Sequence, residues 1–217
     1  MSEGPDSAGL PAGIAGIILA GGRSARMGGI DKAFVQLAGR PLIAHAVARL
    51  APQVSMLAIS ANGPPESYAT QGLLVVADTV RGSAGPLAGI LAGMTWARDR
   101  APGVTRIATV AVDTPFFPDD LVACLAVAVG SGDVAIAGSR GRAHPTFALL
   151  PLDLADDLAA FLAAGGSRRA RDWLARHDPA IVDFDDGPDG LDPFFNINTP
   201  SDLAAIAGCA GPRLGES

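Results

Sequence analysis

Short unbroken apolar runs alternate along this chain with longer stretches whose apolar residues recur every third or fourth position. Ile14 to Ala20 has the length of a buried strand and is too short to span a membrane. Val54 to Ser60, Leu73 to Ala77 and Arg106 to Val112 repeat that strand pattern. Between them, Ile43, Ala46, Val47 and Leu50 form a helical stripe after Pro41, and Leu87, Ile90, Leu91 and Met94 another after Pro86. Proline suits a first helical position, where its missing N–H would have had no intrahelical partner. Pro118 stands in the same way before Leu121, Val122, Leu125 and Val129.

From Asp133 the pattern changes. Val134 to Gly138 and Thr146 to Leu150 predict two strands joined by a short turn containing Arg and Gly, a hairpin. Helices are predicted from Pro151, with Leu154, Leu158, Phe161 and Leu162 inward, and from Ser167, with Ala170, Trp173 and Leu174 inward. Ile181 to Phe184 predicts a further strand, the acidic stretch Asp183 to Asp192 a loop, and Thr199-Pro200 the start of a last helix, with Asp202 closing a capping box. The alternation predicts a three-layer α/β fold whose mostly parallel, partly mixed sheet is covered on both faces. No repeat or linker interrupts it, so residues 14–210 are expected to form one domain between flexible tails at 1–13 and 211–217.

Ligands of such sheets bind beyond the carboxyl ends of the strands. Gly21, Asn62, Asp78 and Asp113 each fall just past the end of one of the first four strands. Singly, each could be a turn residue. Together they mark one rim, and the rim is the predicted site.

Composition narrows the chemistry. Apolar residues make up 49% and mean hydropathy is +0.32, which suits a packed core. Net charge is −6 and the isoelectric point about 4.9, which argues against a nucleic-acid surface. An anionic substrate would have to be drawn in by local cations or a metal ion. Cys124 and Cys209 lack metal-ligand spacing and are expected to be buried thiols of a cytosolic protein. The first residues lack the pattern of a signal peptide and no stretch is long enough to cross a membrane, so a cytoplasmic location is expected.

The predicted first strand breaks at Gly21-Gly22, followed within ten residues by Arg23, Arg26, Gly28-Gly29, Asp31 and Lys32. Glycines let backbone N–H groups close around an anion, and nearby cations add charge. The loop has neither the P-loop nor the dinucleotide-binding glycine spacing, so it is a phosphate-binding candidate of another kind. Lys32 is the only lysine; the other fifteen basic residues are arginines. A lysine kept in this loop points to a site that needs a compact ammonium rather than a planar fork. Asp113, at the end of an apolar strand, could hold magnesium or could simply lead into the next helix.

The stretch LAGGRSARMGGIDK resembles the signature of the molybdenum cofactor guanylyltransferases, within the nucleotidyltransferases of Rossmann-like fold. The resemblance runs from about Ile17 to Ile206. It implies a three-layer Rossmann-like nucleotidyltransferase fold. It also implies transfer of GMP from GTP to Mo-molybdopterin with release of pyrophosphate. By resemblance, Leu19, Ala20, Gly21, Gly22, Arg23, Lys32, Asn62, Asp78, Gly85, Pro86 and Asp113 bind the nucleotide, Asp113 holds Mg2+, and Lys32, Arg26 and Asp113 are catalytic. His144 in His-Pro-Thr, Arg168, and Asn196 and Asn198 in Asn-Ile-Asn-Thr-Pro fall on the molybdopterin side. The cluster of Arg168, Arg169 and Arg171 also reads as a solvated helix face, and His144 as a structural histidine. Proteins that deliver or receive the cofactor are implied as transient partners. A cytidylyl or sugar-nucleotide transferase is the neighbouring alternative, although Leu-Ala-Gly-Gly follows the guanylyl pattern. A non-catalytic nucleotide-binding regulator would need the loop but not Asp113 with Asn196 and Asn198.

Overall fold

The computed structural model describes residues 13–21, 31–77, 85–129 and 134–207. Gly22, Arg23, Arg26, Gly28, Gly29, Asp78 and Cys209, together with residues 1–12 and 211–217 of the expected tails, lie outside the described residues.

Nine strands and six α-helices are seen among the described residues: β1 (Ile14–Leu19), β2 (Gln36–Leu37), β3 (Arg40–Pro41), α1 (Leu42–Leu50), β4 (Met56–Ser60), β5 (Leu74–Val76), α2 (Pro86–Arg100), β6 (Arg106–Ala111), α3 (Leu121–Val129), β7 (Ala135–Ser139), β8 (Arg142–Pro151), α4 (Ala155–Ala163), α5 (Ala170–Leu174), β9 (Ala180–Asp183) and α6 (Pro200–Ala207). Seven strands form one sheet in the order β5-β4-β1-β6-β8-β7-β9, and β2 and β3 form a separate small ribbon. Within the main sheet β8 alone runs against its neighbours, so the sheet is mostly parallel and partly mixed, as the hairpin pattern predicted.

The alternation along β1 divides the core. Ile14 and Ile18 join one cluster with residues of α1, α3 and α6, while Ala15, Ile17 and Leu19 join a second with residues of α2, α4 and α5. That division makes three layers. The chain leaves β1 for β4 and β5 on one side, then returns to place β6 on the other side of β1. The connections diverge between β1 and β6, the place where an open α/β sheet has its crevice.

Several local expectations shift. Pro86 opens α2 as predicted, but Pro118 lies three residues before α3, Pro151 ends β8, and α5 starts at Ala170 rather than Ser167. Pro151 pairs with Arg106, so the strand runs on to Pro151 before a 3-10 turn leads into α4. Cys124 is half-buried rather than buried. The predicted stripe of α2 is buried, but so are Ala88, Gly89, Ala92 and Gly93 on its other faces. The cause is packing on two sides, against the sheet and against α4. A methyl on Gly93 would stand 2.6 Å from a side-chain carbon of Ile17, so only glycine allows this helix to sit so near β1.

Candidate functional site

Gly21, Asn62 and Asp113 each lie two residues beyond a strand end, and the parallel register of β4, β1 and β6 brings those ends together. A Cβ on Gly21 would be 3.7 Å from Asn62 Nδ2. The rim bounds an open cleft of about 250 Å³ lined by Leu19, Ala20, Gly21, Asp31, Lys32, Pro86, Val112, Asp113, Thr146 and Asn196, among others. Of the residues picked from sequence, the fold thus gathers seven on one cleft: Leu19, Ala20, Gly21, Lys32, Pro86, Asp113 and Asn196. His144, Arg168 and Asn198 are not among its lining residues.

At the centre, Lys32 Nζ donates to Asp113 Oδ2 at 2.8 Å and to Asn198 Oδ1 at 2.6 Å. Both members of the ion pair keep about a fifth of their side-chain surface exposed, 23% for Lys32 and 21% for Asp113, so the pair opens to ligand. Lys32 begins a short 3-10 turn capped by Asp31, whose Oδ1 accepts the Ala33 N–H at 3.0 Å. The other Asp31 oxygen accepts the Tyr68 hydroxyl at 3.1 Å. Tyr68 is fully buried with its ring against Phe34, and burial, reinforced by the Asp31 carboxylate, pushes its phenol well above the ordinary range. The phenol therefore stays protonated and serves as a fixed donor. No apolar period or motif in the sequence singles out Tyr68; its being the one tyrosine of the chain is the only signal.

The Asn-Ile-Asn segment reaches the cleft through Asn196. It is not a strand; Ile197 is fully buried and its N–H donates to the Asp113 carbonyl at 2.8 Å. Asn196 Oδ1 accepts the Thr114 hydroxyl at 2.5 Å. The predicted capping box forms: Asp202 Oδ2 accepts the N–H groups of Asn198 and Thr199, each at 2.8 Å, and the Asp202 N–H donates to Thr199 Oγ1 at 3.2 Å. Those bonds, the one from the Asn198 N–H foremost, hold the Asp202 carboxyl below its ordinary range.

Gly85 precedes α2 with φ 63° and ψ −156°, a conformation that side chains other than glycine rarely adopt. A Cβ there would also stand 3.2 Å from the Arg168 carbonyl, so the backbone at Arg168 passes beside the rim while its side chain is exposed. His144 lies within β8, which starts four residues earlier than predicted. The register against β7 jumps between Ile136 and Ala137, which leaves Pro145, Thr146 and Phe147 in an irregular segment. Such a bulge accommodates a proline, which lacks a ladder donor, and it places Thr146 on the cleft. His144 stacks on Phe194 at 4.6 Å, and its Nε2 is 2.8 Å from Ser139 Oγ. Ser139 Oγ donates to Asp192 Oδ1 at 2.8 Å, so its oxygen accepts from the His144 Nε2–H.

Burial depresses the pKa of His144 and also that of His45, which lies buried with Nε2 2.9 Å from the Leu37 carbonyl oxygen. Both rings are thus neutral in the fold where the unfolded chain starts to protonate. Their contribution to stability is complete above pH 6.5, the ordinary value, and is lost as pH falls through the lower folded values. The unfolding free energy in urea is expected to fall as pH drops below about 6.5, by at most ~1.4 kcal/mol per pH unit for each histidine. The double variant His45→Gln/His144→Gln should lose clearly less over that range. Equal slopes for the two proteins would contradict this assignment.

Among the described residues no group of three or more His, Cys, Asp or Glu is arranged to hold a metal ion. Asp31 also faces the cleft, but both its oxygens accept hydrogen bonds from Ala33 and Tyr68. The donor set centred on Asp113 therefore fits a hard cation that takes one carboxylate and draws its other ligands from substrate phosphates and water. No helix among the described residues is long and apolar enough to cross a membrane.

Residues 16–180 match the family described as the MobA-like NTP transferase domain. A protein of Mesorhizobium japonicum named molybdenum cofactor guanylyltransferase is 50% identical over 197 residues, 89% of this chain and 94% of that one. A crystal structure of molybdopterin-guanine dinucleotide biosynthesis protein A from Archaeoglobus fulgidus superposes with a TM-score of 0.69 at 24% identity, covering 90% of this chain and 97% of that one. A 4-diphosphocytidyl-2C-methyl-D-erythritol synthase from Anaerococcus prevotii reaches the same TM-score, 0.69, at 12% identity over 90% of this chain and 95% of that one. The fold is thus shared by proteins named for different substrates, and fold alone does not select among them.

Proposed function

The chain belongs to the MobA-like NTP transferase family, and from that premise we propose that it transfers GMP from GTP to Mo-molybdopterin, forming Mo-molybdopterin guanine dinucleotide. The observation that carries the reading is the pairing of Lys32 with Asp113 on the cleft that Gly21, two residues beyond β1, also lines, in the crevice between β1 and β6. The names of its relatives as guanylyltransferases support GTP as donor and disfavour a regulator without catalysis.

In the reaction, an oxygen of the acceptor's terminal phosphate forms a bond to the α-phosphorus of GTP. The bond from that phosphorus to its bridging oxygen breaks, and the electron pair leaves with pyrophosphate. The nucleophile is already an anion, so no side chain need remove a proton. Positioning and charge neutralisation then supply most of the acceleration. Backbone N–H groups at Gly21 and the Lys32 ammonium would hold the triphosphate and meet the charge that grows on the leaving group. Gly22, Arg23 and Arg26 would add donors and charge. Asp113 would hold a divalent ion, which we take to be Mg2+; bound there, it supplies Lewis-acid charge at the phosphate. Asn62, Asp78, Gly85 and Pro86 would border the nucleoside, while His144 and Arg168 would stand toward the pterin. Transient partners would be proteins that deliver the cofactor or receive the product, and the setting would be the cytoplasm.

Titration with GTP, CTP and ATP in the presence of magnesium tests the reading. GTP is expected to bind about ten- to a hundredfold more tightly than the others, or ~1.4 to 2.7 kcal/mol. Equal affinity for CTP would replace this reading with a cytidylyl transfer.

A further inference from the structure

Asn198 falls on the acceptor side by sequence resemblance, yet its amide oxygen is engaged by Lys32. The ammonium has three donors, of which Asn198 and Asp113 take two. The two acceptors differ in kind. Asp113 is the carboxylate that would hold a metal ion, and a cation held by either of its oxygens would compete with the ammonium for that negative charge. The Asn198 oxygen is neutral and faces no such competition. Its backbone is also held firmly. The Asn198 N–H is fixed by Asp202 at 2.8 Å, and the buried Ile197 before it ties to the Asp113 carbonyl at 2.8 Å. A lysine carries a point charge on a flexible stem, so placing that charge requires a fixed acceptor.

We propose that Asn198 is a positioning residue for Lys32: its amide oxygen anchors the ammonium while the lysine exchanges its second partner, Asp113, for nucleotide phosphate. This rests on the proposed nucleotidyl transfer for the identity of the ligand, but the anchoring itself concerns only residues of this chain. It moves Asn198 from the acceptor side to the nucleotide side of the site.

Because Lys32 is the sole lysine, protein grown with lysine labelled at Cε and Nζ yields one ammonium resonance, with no assignment needed. That resonance is expected to shift when GTP and magnesium are added to the wild-type protein without any acceptor. Asn198→Ala should shift or broaden it before any ligand is present and weaken GTP binding about tenfold. The helix cap should survive, because it uses the backbone N–H of residue 198. Asn198→Ser, whose hydroxyl falls short of the ammonium, gives the same readout should the alanine variant not fold. Asn198→Asp keeps an oxygen acceptor but has no amide donor, so it should restore a sharp resonance; a side chain that donated to the acceptor could not be rescued this way.

An unchanged resonance and unchanged GTP affinity in the truncated variants, with only acceptor affinity reduced, would overturn the anchoring. A wild-type resonance that stays in place at saturating GTP and magnesium would overturn the exchange. Absence of GMP transfer by the wild-type protein, assayed in parallel, would instead count against the proposed function, and the ligand-free resonance would still decide the anchoring.

Discussion

Replacing Asp113 with asparagine is expected to reduce GMP transfer at least about a hundredfold, a loss of ~2.7 kcal/mol in transition-state stabilisation, with the fold preserved. The bonds that tie this turn to the Asn-Ile-Asn segment run through the Asp113 backbone carbonyl and the Thr114 hydroxyl, so an amide side chain at residue 113 leaves both intact. Lys32 also retains Asn198 as a partner, so its charge is not stranded. The ion pair itself is part-exposed, and pairs of that kind contribute little to stability, about 0 to 1 kcal/mol. What asparagine removes is the negative charge that would hold a divalent ion beside the phosphates. Thermal melts of the variant should therefore stay near wild type while initial rates collapse at ordinary magnesium. A folded variant with near-normal rates would rule out the metal role of Asp113.

Lys32→Arg keeps the charge and should nonetheless lower GMP transfer about ten- to a hundredfold, or ~1.4 to 2.7 kcal/mol. The ammonium sits 2.6 Å from Asn198 and 2.8 Å from Asp113, a spacing that suits a compact tetrahedral donor. A guanidinium is planar and tends to grip a carboxylate with two parallel bonds. It would hold the Asp113 oxygens that a metal needs and carry its charge to a different place. Amine labelling reads the same contact without mutation, since Lys32 and the α-amino group are the only amine targets. The terminal amine, with an ordinary pKa of about 7.7 to 8.0, should label equally with and without ligand. Labelling of Lys32 should fall when GTP and magnesium are bound, because the phosphate contact shields the amine. Equal Lys32 labelling at saturating GTP, or normal transfer by the arginine variant, would mean the ammonium does not meet the phosphates.

Both experiments concern residues that stand far apart in the chain, and this marks the boundary of what pattern reading can reach. The run Ile14 to Ala20 became β1, Pro86 opened α2, and Thr199 with Asp202 capped α6, because each depends on neighbours within a few residues. Strand ends were legible for the same reason, and an α/β alternation implies that such ends share one edge of a sheet. Gly21 and Asp113 are thus placed on one rim by the sequence alone.

Tertiary structure decided the rest. Periodicity cannot report the order of strands, so the position of β6 beside β1, and with it the crevice, came only from the fold. The even burial of α2 follows from its place between the sheet and α4, where a one-sided stripe no longer describes the helix. The extent of β8 through His144 depends on pairing with β7 across an irregular register, which a proline in the sequence conceals. The contacts that hold the site join Tyr68 to Asp31, Asn196 to Thr114 and Asn198 to Lys32, the last across 166 residues. The chain by itself determined which segments are strands and helices and which residue types gather at their ends, since those follow from local spacing of apolar groups and from turn chemistry. Which of those residues touch was decided by the closing of the sheet, because a hydrogen bond between distant side chains depends on three-dimensional distance and leaves no period in the sequence.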